Sequence, residues 1–380
     1  WLVGGCTGGL GGVLVELELG GGGELEGVRL LRQSGFPLLA RIVLHSLFPY
    51  PSLHMPIRDH LTFTLLFLCA CVAPIHGSDA VLHDNSEPGI SSLTDSGFLL
   101  LINPPLGSQV SVQTDAQGDS VDSNAAISDS VGFFTHNPFS GAALIPSPPE
   151  FNRQSGFTIE FKLQLLSEVH STEHRAGFSI IVVCNDLKAI EIGFWTDRIW
   201  AQADGLSGDG GLFTQSEGID QLAEDMSTLR QYRLTVLGDR YVLLSGDAVL
   251  LTGPLRDYTA WPGLSVPFLG TLDPYQQANM LFLGDDTSSA SANFKLGSPI
   301  GVLCGALRSP QIARDQEIEP AGITLDWGTL PGIPYRVDSS PDLGAWFGGE
   351  TVVALSKSLQ ATRPFSEDGF EFFRITVDPE

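Results

Sequence analysis

Two stretches hold side chains whose types and spacing could do chemistry. His170, Glu173 and His174, in HSTEH, match the H-x-x-E-H order. In that order two imidazoles one helical turn apart hold zinc and the glutamate beside the metal acts as a general base. The chemistry needs a helix. These five residues stand between stretches that alternate as strands do, so they read as a polar loop. The second stretch, AIEIGFWTDRIWAQADG (189–205), reads as strand, tight turn and strand. Alternation puts Ile190, Ile192 and Phe194 on one face and leaves Glu191 and Trp195 on the other. Trp200 and Gln202 continue that second face after the turn, and Arg175 stands at the entry to the preceding strand. Indoles offer a flat platform for the apolar face of a sugar ring, while Glu, Gln and Arg make directional hydrogen bonds to hydroxyls. Arg175, Glu191, Trp195, Trp200 and Gln202 are therefore the expected ligand-binding set. The competing reading is structural: both indoles pack beneath another layer, and Glu191 pairs with Arg175 or Arg198.

Other chemistry is thinner. Asp285 and Asp286 in GDDTSS, with Asp186 and Asp204 in other turns, are hard oxygen ligands suited to calcium, although no EF-hand spacing occurs and aspartates also cap turns. A glycosidase on a sandwich needs paired carboxylates, commonly E-x-D-x-x-E along one strand, and that string is absent. Two acids from different strands remain the route to a polysaccharide hydrolase or lyase. There is no G-x-S-x-G elbow and no G-x-x-x-x-G-K loop. Non-catalytic binding is the expectation, with an adhesive or structural surface protein as a further alternative. Cys184 and Cys304 both sit on apolar runs that point them inward, which suits one disulfide or two buried thiols equally.

Composition narrows the partners. The 380 residues carry 20 basic and 44 acidic side chains, a formal net charge of −24. Such a chain repels phosphate backbones and anionic lipid, which argues against nucleic acid and membrane surfaces. Its apolar content is too high for disorder, and Gly, Ser, Asp and Thr fill the spaces between apolar runs. MPIRDHLTFTLLFLCACVAPIHGSDA, from Met55, has the polar head, short apolar run and small-residue end of an export signal. The run is too short to span a bilayer comfortably. Residues 55–77 are thus expected to be a cleaved signal, residues 1–54 an unstructured non-native upstream segment, and the protein secreted. A lipoprotein anchored at Cys71, through LCAC, is the alternative.

These candidate residues need strands to position them. FTIEFKLQLL alternates, with Ile159, Phe161, Leu163 and Leu165 inward. AGFSIIVVCND is nearly all apolar, as a central strand covered on both faces would be. YRLTVLGDRYVLLSGDAVLLTG (232–253) is three strands joined by Gly-Asp turns. Strands keep arriving at short spacing, and IDQLAEDMSTLRQ (219–231) is the one plausible helical turn. The expected fold is all-β: an antiparallel two-sheet jelly-roll sandwich over residues 78–304, a linker at 305–321 and a small C-terminal β domain at 322–380.

Together FTIEFKLQL, AGFSIIVV, IEIGFW, YRLTVLGDRYVLLSGDAVLLTGPLRDY and LFLGDDTSSASA resemble a concanavalin A-like, laminin-G-like jelly-roll module of bacterial exported proteins, over about residues 130–303. The resemblance implies a fold that hosts lectins, adhesion modules and glycosidases alike, a glycan or extracellular matrix component as partner, and in some members Ca²⁺ held at a rim by aspartates. ITLDWGTLPGIPYRVDSSPDLGAW followed by FFRI resembles a small β domain found at the C-termini of large exported bacterial proteins, which implies an adhesive accessory without chemistry of its own.

Overall fold

The computed structural model describes residues 79–377, apart from 206–210, 221, 223–224, 267–268, 306–310, 316–321, 341–344 and 365–371, together with three N-terminal strands. The expected export signal and Cys71 lie outside the described residues. Within the segment expected to be unstructured, Val13–Leu19 pairs antiparallel with Leu25–Arg32, which also pairs with Pro37–Leu38. The two-residue alternation of VLVELEL accounts for the strand.

From Ala80 to Cys304 the chain forms a β-sandwich. One sheet has seven strands in the order Leu212–Asp220, Arg198–Asp204, Ala189–Phe194, Phe178–Val183, Leu281–Asp285, Ser130–Phe134 and Leu99–Asn103. The other has eight. Along its path run Ala248–Pro254, Arg240–Ser245, Arg230–Leu237, Phe157–His170, Ala290–Cys304, Gly118–Asp122 and Ser111–Asp115, with Ala80–His83 pairing Ala290–Cys304 beside the path. All of these pairings are antiparallel. Ile159, Phe161, Leu163 and Leu165 of the eight-stranded sheet meet Ile180, Val182, Ile190, Ile192 and Phe194 of the seven-stranded sheet in the main core. Phe178 stands edge-on to Phe294 and Phe194, with ring centres 4.9 and 5.6 Å apart. Removing such a ring costs about 3–5 kcal/mol through lost burial and the cavity left behind.

Both sheets are also covered on their outer faces, which explains the strands without a polar side. Ile181, Val183, Phe134 and Phe282 of the seven-stranded sheet lie under Tyr258, Tyr275 and Phe213. The covering strap, residues 256–280, holds two 3-10 turns, Tyr258–Ala260 and Pro274–Gln276, capped by Asp257 and Asp273. Val242 and Leu244 of the eight-stranded sheet lie under Leu325, Trp327, Leu330, Tyr335 and Val337 of the tail.

The small C-terminal β region is present as two three-stranded sheets, and it shares a core with the sandwich. Two expectations need correction. Gln311–Asp315, inside the stretch read as a linker, is a strand paired with Gly322–Gly328. Residues 219–231 form no helix among those described. The strand Leu212–Asp220 ends there and Arg230–Leu237 begins, while the Asp225 side chain bonds the Ser227 amide and hydroxyl at 2.8 and 2.7 Å, fixing a turn.

Candidate functional site

The pleat brings the expected residues to one place. On the outer face of the seven-stranded sheet, Ile181 lies opposite Glu191, Gly193 opposite Trp200, and Ser179 opposite both Gly193 and Gly284. Glu191, Trp200 and Gln202 thus share a face with Ser179, and Asp286, two residues beyond Gly284, extends it. Gly193 makes room for the indole: a methyl group there would stand 2.9 Å from the Trp200 ring and 3.1 Å from Ala176.

Most of this face is not open. Trp200 is 0 % exposed, and Glu191 and Gln202 are each 1 % exposed. Trp195 is half-buried, with its ring 4.7 Å from that of Trp200 and its Nε1 donating to the Arg175 carbonyl at 2.8 Å. Trp200, expected to be one of two indoles of a sugar platform, is buried instead, with the Trp195 ring and Gly218 of the next strand against it. His170 takes part instead. Its ring stacks on Trp195 at 3.8 Å, 4° from parallel, and its Nδ1 meets Glu168 Oε2 at 2.9 Å. His174 lies 3.5 Å from Glu173, and its carbonyl accepts from Gln202 Nε2 at 3.0 Å. His170 ends the strand Phe157–His170 and His174 lies in the loop after it, so the two imidazoles of HSTEH serve different partners and no helix brings them to a common metal.

At the centre of the face lies a pair of acids. Glu191 and Asp286 act on one another electrostatically. The Tyr275 hydroxyl donates to Glu191, and Tyr258 bridges the strands below, accepting from the Glu191 amide at 3.3 Å and donating to the Gln202 carbonyl at 2.7 Å. Burial pushes the Glu191 carboxyl well above the usual glutamate range, and the Asp286 charge pushes it further. Asp286 is exposed, and its carboxyl is raised as well, against the pull of Arg175. Arg175, half-buried, lies over the Phe213 ring at 4.8 Å and acts on both acids through space. Four buried polar atoms on this face have no partner: Glu191 Oε1, Ser179 Oγ, Gln202 Oε1 and Trp200 Nε1.

Calcium is not served by this arrangement. Consecutive residues of a strand point to opposite sides, so Asp285 faces inward and accepts from Ser123 Oγ at 2.9 Å while Asp286 faces Glu191. Asp186 pairs with Arg153 at 2.7 Å, and Asp204 accepts from the Asp257 amide at 3.0 Å. No group of three metal-ligating side chains forms among the described residues. Of the two states left open for Cys184 and Cys304, one disulfide or two thiols, the structure holds two free thiols. Cys184 belongs to the core beside the seven-stranded sheet, where burial pushes its thiol up to about 12, and Cys304 ends a strand of the other sheet.

The sequence alone missed Tyr275, Ser179 and the Glu168–His170 pair. The Asp-Pro-Tyr of a capped 3-10 turn was the available signal for Tyr275.

No family model matches the chain, and no curated protein does. Among solved structures the chain is similar to a carbohydrate esterase from the Shiga toxin-encoding bacteriophage phi24B, with 12% identity, a TM-score of 0.37, and 60% of this chain and 100% of that one covered. It is also similar to botulinum neurotoxin type C, whose cell entry depends on interaction with two ganglioside molecules, with 11% identity, a TM-score of 0.31, and 60% and 47% covered. A third likeness is to the cellulose induced protein Cip1, with 10% identity, a TM-score of 0.29, and 54% and 90% covered. The chain spans about half the length of the neurotoxin structure it matches. All three likenesses are remote, and none makes the chain a member of a family.

Proposed function

We propose that this chain is an exported, non-catalytic binding module of the concanavalin A-like jelly-roll type that takes a hydroxyl-rich ligand, a glycan or a glycan-bearing matrix component. The binding face is the outer side of the seven-stranded sheet, where Arg175, Asp286, Trp195 and His170 reach its edge. One observation carries this reading: the partly exposed Trp195 and Arg175 and the exposed His170 stand together at the rim of that face, the Trp195 ring stacked on His170 and its Nε1 bonded to the Arg175 carbonyl. An indole beside a guanidinium and an imidazole offers a ligand both an apolar platform and hydrogen-bond donors. The jelly-roll assignment is supported by the interleaving of early and late strands, Leu281–Asp285 beside Ser130–Phe134 and Ala290–Cys304 beside Gly118–Asp122. Adhesion through the tail is a proposal of the same standing.

In the hydrolase alternative two carboxyls would stand roughly 5–9.5 Å apart with the sugar between them, whereas Glu191 is 1 % exposed and held by the Tyr275 hydroxyl of the strap. Binding is the better use of this geometry. A glycan array probed with the full chain, followed by titration of the best binder, tests it. Arg175→Ala and Trp195→Ala should each weaken binding roughly tenfold or more. Chelating divalent cations should change nothing, since the aspartates diverge. An empty array, or affinity indifferent to both substitutions, would overturn the reading.

A further inference from the structure

We propose, building on the rim as the ligand platform, that Glu168 is its positioning residue: it keeps the His170 proton on Nδ1 and the imidazole flat on Trp195, so that a sugar meets the His170 ring and its Nε2. The register of the strand aims the pair. Along Phe157–His170 the inward residues are Ile159, Phe161, Leu163 and Leu165. Phe294 pairs with Leu165, yet the neighbouring Asn293 pairs with Ser167, so Leu166 is an extra residue with nothing opposite it. Such a bulge shifts the alternation by one. Leu166 and Val169 are exposed in consequence, while the Glu168 side chain turns in and is 3 % exposed. His170, two residues on, stands on the same side.

Burial makes the contact between the two decisive. Glu168 Oε2 meets His170 Nδ1 at 2.9 Å, and the enclosed Oε1 has no partner. Asp197, in the turn after Trp195, repels this carboxylate, whereas His170 attracts it. An ionised carboxylate only accepts, so the hydrogen goes on Nδ1 and the lone pair of the neutral ring is left on Nε2, across the ring from Glu168. Three rings then run from the interior to the rim. Trp200 is fully buried, Trp195 stands edge-on to it at 4.7 Å, and His170 lies parallel to Trp195 at 3.8 Å with 35 % of its side chain exposed. One face of the imidazole is covered by Trp195, and its other face is the outermost of the three rings. A sugar ring laid on that face can donate a hydroxyl to Nε2.

The first test uses the full chain without ligand. Nitrogen NMR in alkaline solution should find the His170 proton on Nδ1 in the wild type and on Nε2, as a free imidazole prefers, in Glu168→Leu. A wild-type proton on Nε2 would overturn the role of Glu168, whether or not any ligand binds. The second test titrates the best binder from a glycan array. Glu168→Leu and His170→Phe should each weaken binding roughly tenfold. The double variant should bind no more weakly than His170→Phe alone, because Glu168 acts through the imidazole. Losses that add, or a Glu168→Leu chain that binds like the wild type, would make Glu168 a merely structural residue and overturn the proposal. An array without a binder would overturn the platform itself, and the nitrogen spectrum would still decide whether Glu168 sets the tautomer.

Discussion

At the scale of single residues, one buried cation depends on a single carboxylate. Arg256 is 1 % exposed, and its Nη2 donates to Glu217 Oε2 at 2.5 Å and Ser216 Oγ at 2.9 Å. Tyr241 donates to the other Glu217 oxygen at 2.7 Å, and burial with the Glu217 charge holds that hydroxyl protonated far into the alkaline range. Glu217→Ala strands a buried guanidinium, so urea denaturation should record a loss of about 3–5 kcal/mol. Replacing both partners by apolar residues of similar volume should cost less, because no charge is left unpaired. Gly193→Ala tests the packing of the site: its methyl would press on an indole with nowhere to go, and about 1–3 kcal/mol should be lost. At this scale the sequence was informative about which face each residue occupies, since alternation fixes that locally. It was silent about burial, because Tyr258 and Tyr275, which bond Glu191, come from a strap tens of positions away, and Gly218, which lies against Trp200, from a later strand.

Among the elements, the tail and the sandwich are joined by more than the chain. Val242 and Leu244 pack against Leu325, Trp327, Leu330 and Tyr335, Thr235 Oγ1 donates to the Pro331 carbonyl at 2.7 Å, and Arg233 Nη1 donates to the Leu355 carbonyl at 2.6 Å. The two should unfold together, so calorimetry should show one transition. Trp327→Ala, costing about 3–5 kcal/mol, should lower that transition rather than split off an early one. A separate low-temperature transition in the wild type would mean the tail is an independent unit. The strand order and turns of the sandwich were legible because Gly-Asp turns and two-residue alternation are local signals. Thus the three strands of residues 232–253 stand where the pattern put them. The strand Gln311–Asp315 was not legible, because Pro310, Pro320 and mixed charge look like a linker, and only pairing with Gly322–Gly328 makes it a strand. YVLLS was read as one strand, yet nothing in it announced that Val242 and Leu244 lie under a second core.

For the whole molecule, charge and buried acids together fix the pH of greatest stability. Glu168, Glu191 and Asp285 are all raised, with burial the leading cause in each. Between the ordinary values of 4.5 and 3.8 and their raised ones, the folded chain holds more protons than the unfolded chain. Their contribution is complete below those ordinary values and is lost as pH rises through the folded ones. Asp338 acts in the opposite sense. Burial raises it, but Arg374 and Arg336 outweigh burial and hold it low, so its contribution is present above 3.8 and lost as pH falls through its folded value. The net charge of −24 adds self-repulsion at neutral pH that eases as carboxylates take up protons. Urea midpoints measured across pH should therefore peak on the acid side of neutrality, near the upper end of the ordinary carboxylate range, and fall toward neutral and alkaline pH. Added salt should raise the midpoint at neutral pH and have a smaller effect at the peak, because there is less repulsion left to screen. A midpoint that climbs steadily through neutrality would mean that the three buried acids ionise at ordinary values, and the account of the Glu191 site would fall with them.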